Sequence, residues 1–281
     1  MDLKRAILFM VLSTIAFTGM NGLLKYLTHY SGYQLVFFRS VGSLFFTFGF
    51  LLSKGIPILG TNRKLLMLRG LLGSTSMLLF FIAVHYMPIG SAVALRYIAP
   101  IFAAIFAILY LKEKVKPIQW IFFIIAFTGV LVLKGFDDDI APIGLFLVLL
   151  ASVFSGMVYI VIRKIGMKEH PVVIVNYFMC IATVIGGVLC IFDWTPLKAL
   201  DLILLLSLGV FGYFGQVFMT KAFQMGETNI IAPIKYIEVV FAIIVGVGFL
   251  GETYSLWSFV GMALIISGLL LNLWYKSKYK I

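Results

Sequence analysis

Apolar residues along this chain gather into long runs, each ended by a short stretch of Gly, Pro and charged residues. A bilayer-crossing helix needs about 20 apolar residues. On that measure the runs predict ten spans, at 5–24, 33–53, 65–86, 91–111, 117–134, 141–163, 172–191, 202–223, 229–249 and 255–275. Pro117, Pro142 and Pro171 stand at the starts of three of them, where a missing N–H costs nothing because the first turn leaves its donors unpaired. The connections are short, so no soluble domain separates the spans. The expected fold class is an all-α polytopic membrane protein with ten transmembrane helices.

Composition narrows the function classes. Of 281 residues, 62% are hydrophobic and 12% charged, against roughly 25% charged in a soluble domain. That balance excludes a soluble enzyme, a disordered chain and a large extramembrane domain. The net charge of +11 would suit a nucleic-acid partner, but its distribution argues otherwise. With the N-terminus in the cytoplasm, the inner ends and loops hold sixteen cations, from Lys4 and Arg5 through Arg63, Lys64 and Arg69 to Lys280. The outer loops hold only Lys25, Lys134 and Lys198, beside the acidic run Asp137 to Asp139. Positive charge marks the cytoplasmic side, so an inner-membrane protein with both termini inside is expected, in contact with membrane lipid and not with nucleic acid. Cys180 and Cys190 lie ten residues apart in one span and face directions about 80° apart, which rules out a bridge between them. No metal-ligand cluster, phosphate loop or nucleophile–base set is present, so no metal, cofactor or enzymatic activity is expected.

The chain also matches itself at an offset of 139 residues. Arg96-Tyr97-Ile98 falls on Lys235-Tyr236-Ile237, Phe102-Ala103 on Phe241-Ala242, Leu111-Lys112-Glu113 on Leu250-Gly251-Glu252, and Gly129 on Gly268. Each copy holds five spans, an odd number, so the second copy must be upside down relative to the first. Two five-helix repeats, 1–136 and 137–281, are therefore expected to be inverted about an axis in the membrane plane. That layout recurs in secondary transporters, whose substrate sites lie at the midplane between the halves.

Several short motifs in order resemble the drug/metabolite transporter superfamily, EamA type. They are Phe37-Phe38-Arg39-Ser40, Gly90-Ser91-Ala92, Pro100, the Leu-Lys-Glu and Leu-Gly-Glu ends of the fourth and ninth spans, and Gly129 with Gly268. The resemblance covers essentially the whole chain and is nearest to bacterial carriers labelled as S-adenosylmethionine uptake proteins. It implies ten helices in two repeats and a small-molecule solute as partner.

Charges inside hydrocarbon must face a cavity or a partner. Arg39, Arg96, Lys235 and Glu238 are the intramembrane charges. Arg39 reads either as a structural residue that binds carbonyls at a broken helix or as a solute contact. Arg96 and Lys235 share a repeat position and are expected to contact substrate. Glu238 follows Lys235 by three residues, so the two can pair on one helix face; otherwise the carboxylate couples protons or binds a substrate amine. Three cations against one anion favour an anionic or zwitterionic solute. Tyr97, Tyr236, Tyr159, Asn176, Asn21 and the Tyr213/Gln216 pair supply further candidate contacts, with Pro100 and Pro233 as candidate hinges. The expected function is secondary transport of a small organic solute by alternating access. Export of amino acids or amphipathic drugs is the alternative, and a non-transporting scaffold or lipid-modifying enzyme a remote one. A monomer is expected, with a homodimer as the alternative.

Overall fold

The computed structural model describes residues 3–111, 116–135, 139–165, 168–225 and 232–279. Every regular element among them is helical: α1 Leu3–Tyr26, α2 Gly32–Ser53, α3 Arg63–Ala83, α4 Ile89–Arg96, α5 Ala99–Leu111, α6 Pro117–Gly135, α7 Pro142–Ile165, α8 Pro171–Cys190, α9 Ala199–Met225, α10 Ile237–Leu250 and α11 Leu256–Tyr279. Among the described residues eight segments are long and apolar enough to cross a membrane, and Pro117–Leu133 is a shorter apolar helix. Starts are set by local chemistry. The Ser31 side chain accepts from the Gln34 amide to cap α2, Asn62 does the same for α3, and His170 followed by Pro171 opens α8.

Two expected spans are not single helices. The segment 91–111 divides into α4 and α5 at Tyr97 and Ile98. Pro100 has no amide to give the Arg96 carbonyl, so the helix cannot run through unbroken. The last turn of α4 tightens instead: the Tyr97 amide bonds the Val93 and Ala94 carbonyls, and the Ile98 amide bonds Leu95. Irregular backbone at membrane depth survives only where protein encloses it, and Ala94, Leu95 and Ile98 are fully buried. The ninth span is likewise irregular. A 3-10 turn over Ala232–Tyr236 passes into α10 at Ile237, while residues 229–231 of that expected span lie outside the described residues. Tyr97–Ile98 and Tyr236–Ile237 are the same positions under the 139-residue offset.

Packing follows the same relation. The main helix pairs are α1 on α9, α3 on α7, α2 on α8 and α9, α3 on α8, α5 on α7, α1 on α10, and α6 on α11. Exchanging each helix for its counterpart in the other half turns α1·α9 into α7·α3, α2·α9 into α8·α3, and α5·α7 into α10·α1. The α2·α8 and α6·α11 pairs map onto themselves. The α6·α11 crossing shows it at atomic scale. A Cβ on Gly129 would stand 2.6 Å from the Gly261 carbonyl oxygen, and one on Gly268 2.5 Å from that of Phe122. Only glycine allows so close an approach, which is how helices associate where apolar lipid offers no hydrophobic drive.

The helix ends meet on two faces. One carries Lys25, Ser31, Gln34, His85, Ile89, Asp193 and Glu252, tied together by side-chain contacts (Ser31 to Asp193, Gln34 to Thr195, His29 and Tyr30 to Asp201). The other, the N-terminal face, carries the α2–α3 connection and the start of α8. Here the Glu169 carboxylate accepts from the Thr61 amide at 2.7 Å, the Thr61 hydroxyl at 2.6 Å and the Asn62 amide. Burial alone would push the Glu169 carboxyl up, but these donors outweigh it and hold the group below its ordinary value. Its folded-state value is thus depressed, so its contribution is complete above the ordinary carboxyl range and is lost as pH falls through the folded value. Glu169→Gln should lower stability by about 1–3 kcal/mol at neutral pH. The gap from wild type should close on acidification, read as thermal midpoints of the purified protein from neutral to acid pH. A gap that stays constant would remove the linkage.

Candidate functional site

The two breaks place four helix ends inside the bundle, and charges sit on two of them. Arg96 is the last residue of α4, and Glu238 lies in the first turn of α10. A helix C-terminus favours a cation and an N-terminus an anion, by about 0.3–2 kcal/mol each. Glu238 is fully buried. Its Oε1 accepts from the Asn21 side-chain amide of α1 at 3.0 Å, and its Oε2 from the Tyr97 hydroxyl at 2.6 Å. Hydrogen bonds to a charged group contribute about 1.5–3 kcal/mol each, enough together with the helix end to offset the several kcal/mol of desolvation.

Around this carboxylate the cations face aromatic rings. The Lys235 ammonium lies 5.5 Å from the centroid of Phe17 and 5.4 Å from that of Tyr97, and the Arg96 guanidinium 4.4 Å from that of Phe80. The Tyr97 and Tyr236 rings meet edge to face at 5.2 Å. Tyr159 stands within electrostatic reach of Arg96 and Glu238, yet it is 43% exposed. Arg96, Lys235 and Pro100 are half-buried. Of the two readings of the Lys235–Glu238 spacing, the ion pair is not formed among the described residues; the carboxylate is taken by donors from α1 and the α4–α5 break.

The structure therefore gathers Arg96, Lys235, Tyr97, Tyr236, Glu238, Asn21 and Tyr159. Asn176, Tyr213 and Arg39 make the contacts that follow with other parts of the bundle. Asn176 is buried in the α2·α8 packing and accepts from the Thr47 hydroxyl at 2.8 Å. Tyr213 stacks on Phe46 of α2 at 5.3 Å, with Gln216 one turn along α9. Arg39 is buried and directs its Nε at the sulfur of Met20 and its Nη1 at those of Met77 and Met179. Pro100 is the second residue of α5, and Pro233 lies within the 3-10 turn.

Three participants escaped sequence reasoning. Phe17 and Phe80 look like ordinary apolar residues. Arg69, counted there among the cytoplasmic-end charges, is only 6% exposed inside the bundle. Its place within the apolar run Leu65–Leu72 was the available signal.

Comparison with known proteins gives this arrangement a family. The EamA-like transporter family profile matches residues 4–134 and 142–274. The chain belongs to the EamA-like transporter family. It is a multi-pass membrane protein that transports small solutes. It is 29% identical over 269 residues to the pseudopaline exporter CntI of Pseudomonas aeruginosa (strain UCBPP-PA14), covering 95% of this chain and 92% of that protein. It is 28% identical over 237 residues to the S-adenosylmethionine uptake transporter of Rickettsia conorii, covering 83% and 80%. A solved crystal structure matches with a TM-score of 0.66 at 14% identity, over 96% of this chain and 98% of that one, a likeness of fold alone.

In this EamA-family protein a network of contacts closes one end of the candidate site. Toward the Lys25 face, α4 packs on α10, α11, α7, α1 and α3. Both Glu252 oxygens accept from the Ile89 amide, at 2.9 and 3.0 Å, and the Tyr254 hydroxyl links Glu252 to the Gly90 amide. Lys25 completes this lock. It donates to the Val84 and Met87 carbonyls at 2.9 and 2.8 Å and stands 3.9 Å from Glu252. Toward the N-terminal face, α5 packs broadly on α7.

Tyr97→Phe removes one of two donors from a buried carboxylate and should cost about 1–3 kcal/mol. Asn21→Ala should cost a similar amount. Because both act on one group, the double variant should depart from additivity by about 0.5 kcal/mol or more. Thermal or denaturant unfolding of the four proteins measures this, and strict additivity would mean that the two donors do not share Glu238.

Proposed function

We propose that this protein is a secondary carrier that moves a small organic anion or zwitterion across the inner membrane by alternating access. Its halves, 1–136 and 137–281, act as inverted five-helix repeats, with both termini in the cytoplasm. One observation carries the reading. Arg96 and Lys235 occupy the same repeat position, each at the break of its span, and neither forms an ion pair among the described residues although they flank a buried carboxylate. Cations held only by ring faces keep donors to offer a ligand carboxylate or phosphate. The solute's negative group goes to Arg96 and Lys235; a positive group on a zwitterion lies toward Glu238. Export on the same scaffold is a second reading, favoured by the likeness to the pseudopaline exporter over 95% of the chain.

The route through the molecule starts from one closed face. The Lys25–Glu252 lock and the α4·α10 packing close the site toward that face. Inversion then supplies the second state, in which each half adopts the packing of the other. Transport of this kind needs no cofactor, since the solute or ion gradient drives the exchange of states.

Proteoliposomes tested with labelled zwitterionic, anionic and cationic metabolites provide the decisive measurement. Uptake of an anion or zwitterion is expected, and Arg96→Gln or Lys235→Gln should reduce it by about 100-fold or more while the thermal midpoint and elution volume stay near wild type. Normal transport by both variants would dismiss the site. The lock is read separately. Ser91 is fully buried in α4, so a Ser91→Cys probe in a background lacking Cys180 and Cys190 should resist an impermeant maleimide added from the Lys25 face. Adding Glu252→Gln should raise its labelling rate by about tenfold, as the open state gains population. An unchanged rate would mean that Glu252 does not hold that face shut.

A further inference from the structure

We propose that α2, α3 and α8 enclose a second site, for one small anion (a halide or a carboxylate), held by Arg39 of α2 and Arg69 of α3. The two guanidiniums are 3% and 6% exposed. Both lie over the ring of Phe178 in α8, at 5.6 and 4.4 Å from its centroid, and so stand no more than about 10 Å apart. Arg39 directs N–H groups at three methionine sulfurs, which are weak acceptors. Arg69 has less: its Nε and Nη1 are enclosed and have no hydrogen-bond partner.

No carboxylate answers these charges. Among the described residues neither arginine forms a salt bridge, and the charged neighbours of Arg39 are two more guanidiniums, Arg69 and Arg96. Ring faces and thioethers stabilise a guanidinium weakly, while two like charges removed from water in one small volume are strongly disfavoured without a counter-charge. Arginine does not relieve the imbalance by losing its proton. What this part of the core lacks is one negative group able to accept several N–H donors. A carboxylate matches the guanidinium fork, and a halide accepts from several donors at once. This site is separate from the Arg96–Lys235–Glu238 group. Arg39 lies over the Phe81 ring at 5.9 Å and Arg96 over the Phe80 ring at 4.4 Å, so the two guanidiniums rest on different rings. The inference concerns binding and does not depend on transport.

Thermal unfolding of the purified wild-type protein, with chloride replacing gluconate at constant ionic strength, tests it. A second series uses acetate. The midpoint should rise with anion concentration in the manner of a ligand bound by the folded state alone. A response to chloride only assigns an inorganic ion, and a response to acetate assigns a carboxylate, the chemistry a transported solute would bring. Arg69→Met and Arg39→Met, which remove a buried charge and keep an apolar stem, should abolish the response. Arg69→Lys, which keeps the charge but not the fork, should weaken apparent affinity by about tenfold. A wild-type midpoint indifferent to both anions would overturn the proposal, and so would a response that persists unchanged in both methionine variants. If neither methionine variant folds, the wild-type series still decides.

Discussion

A carboxylate with no water beside it must find its donors in the protein, and in this chain much of the central architecture meets that requirement for Glu238. Asn21 reaches it from α1 and Tyr97 from the α4–α5 break, while the residue itself sits in the first turn of α10. Three separate segments therefore converge on one side chain. The Tyr97 donor would not be in place if span 91–111 were a continuous helix, since Tyr97 sits in the break that Pro100 imposes. The cost of interrupting a helix at membrane depth is offset locally, by a tightened last turn and by burial. The C-terminal end of α4 that the break creates suits Arg96, as the N-terminal end of α10 in the other interrupted span suits Glu238.

The exchange relation between the two halves explains why such a site recurs at both breaks but is not occupied alike. Helix packing is nearly invariant when counterparts are swapped, down to the reciprocal glycine contacts of Gly129 and Gly268. Charge does not follow so closely. Arg96 has Lys235 as its counterpart, but position 99, which corresponds to Glu238, is Ala99. The centre thus has two cations related by symmetry and one carboxylate that is not. The packing is thus closer to symmetric than the charge, and the lone carboxylate is what sets the two breaks apart.

Much of this was legible in the sequence, for identifiable reasons. Hydrocarbon imposes long apolar runs, so the spans could be read directly. A constant offset that aligns Tyr97 with Tyr236 and Gly129 with Gly268 points to related halves, and Pro100 marks a break. What stayed unread shares a cause. The spacing of Lys235 and Glu238 left open whether they pair, because spacing along one helix does not show which donors other segments bring to a carboxylate. Arg69 near a span end looks the same in sequence whether it snorkels to water or turns inward. The Lys25–Glu252 lock joins opposite halves of the chain and leaves no local pattern. Local rules see neighbours along one helix, whereas each of these contacts depends on a partner the fold brings from elsewhere.

The two groups of cations then acquire different meanings from different surroundings. Arg96 and Lys235 are half-buried beside aromatic faces and lie next to a carboxylate whose own needs are met. A ligand that binds them can enter and leave, because the site stands no worse than partly hydrated without it. Arg39 and Arg69 are almost fully enclosed, and Arg69 leaves donors unused. There an empty site would leave a buried charge uncompensated, at a cost of about 3–5 kcal/mol when a partner is missing. A carrier needs a site of the first kind to turn over; a site of the second kind would stay occupied and act as part of the structure. On the proposed reading, exposure more than the number of positive charges separates a site that turns over from one that stays occupied.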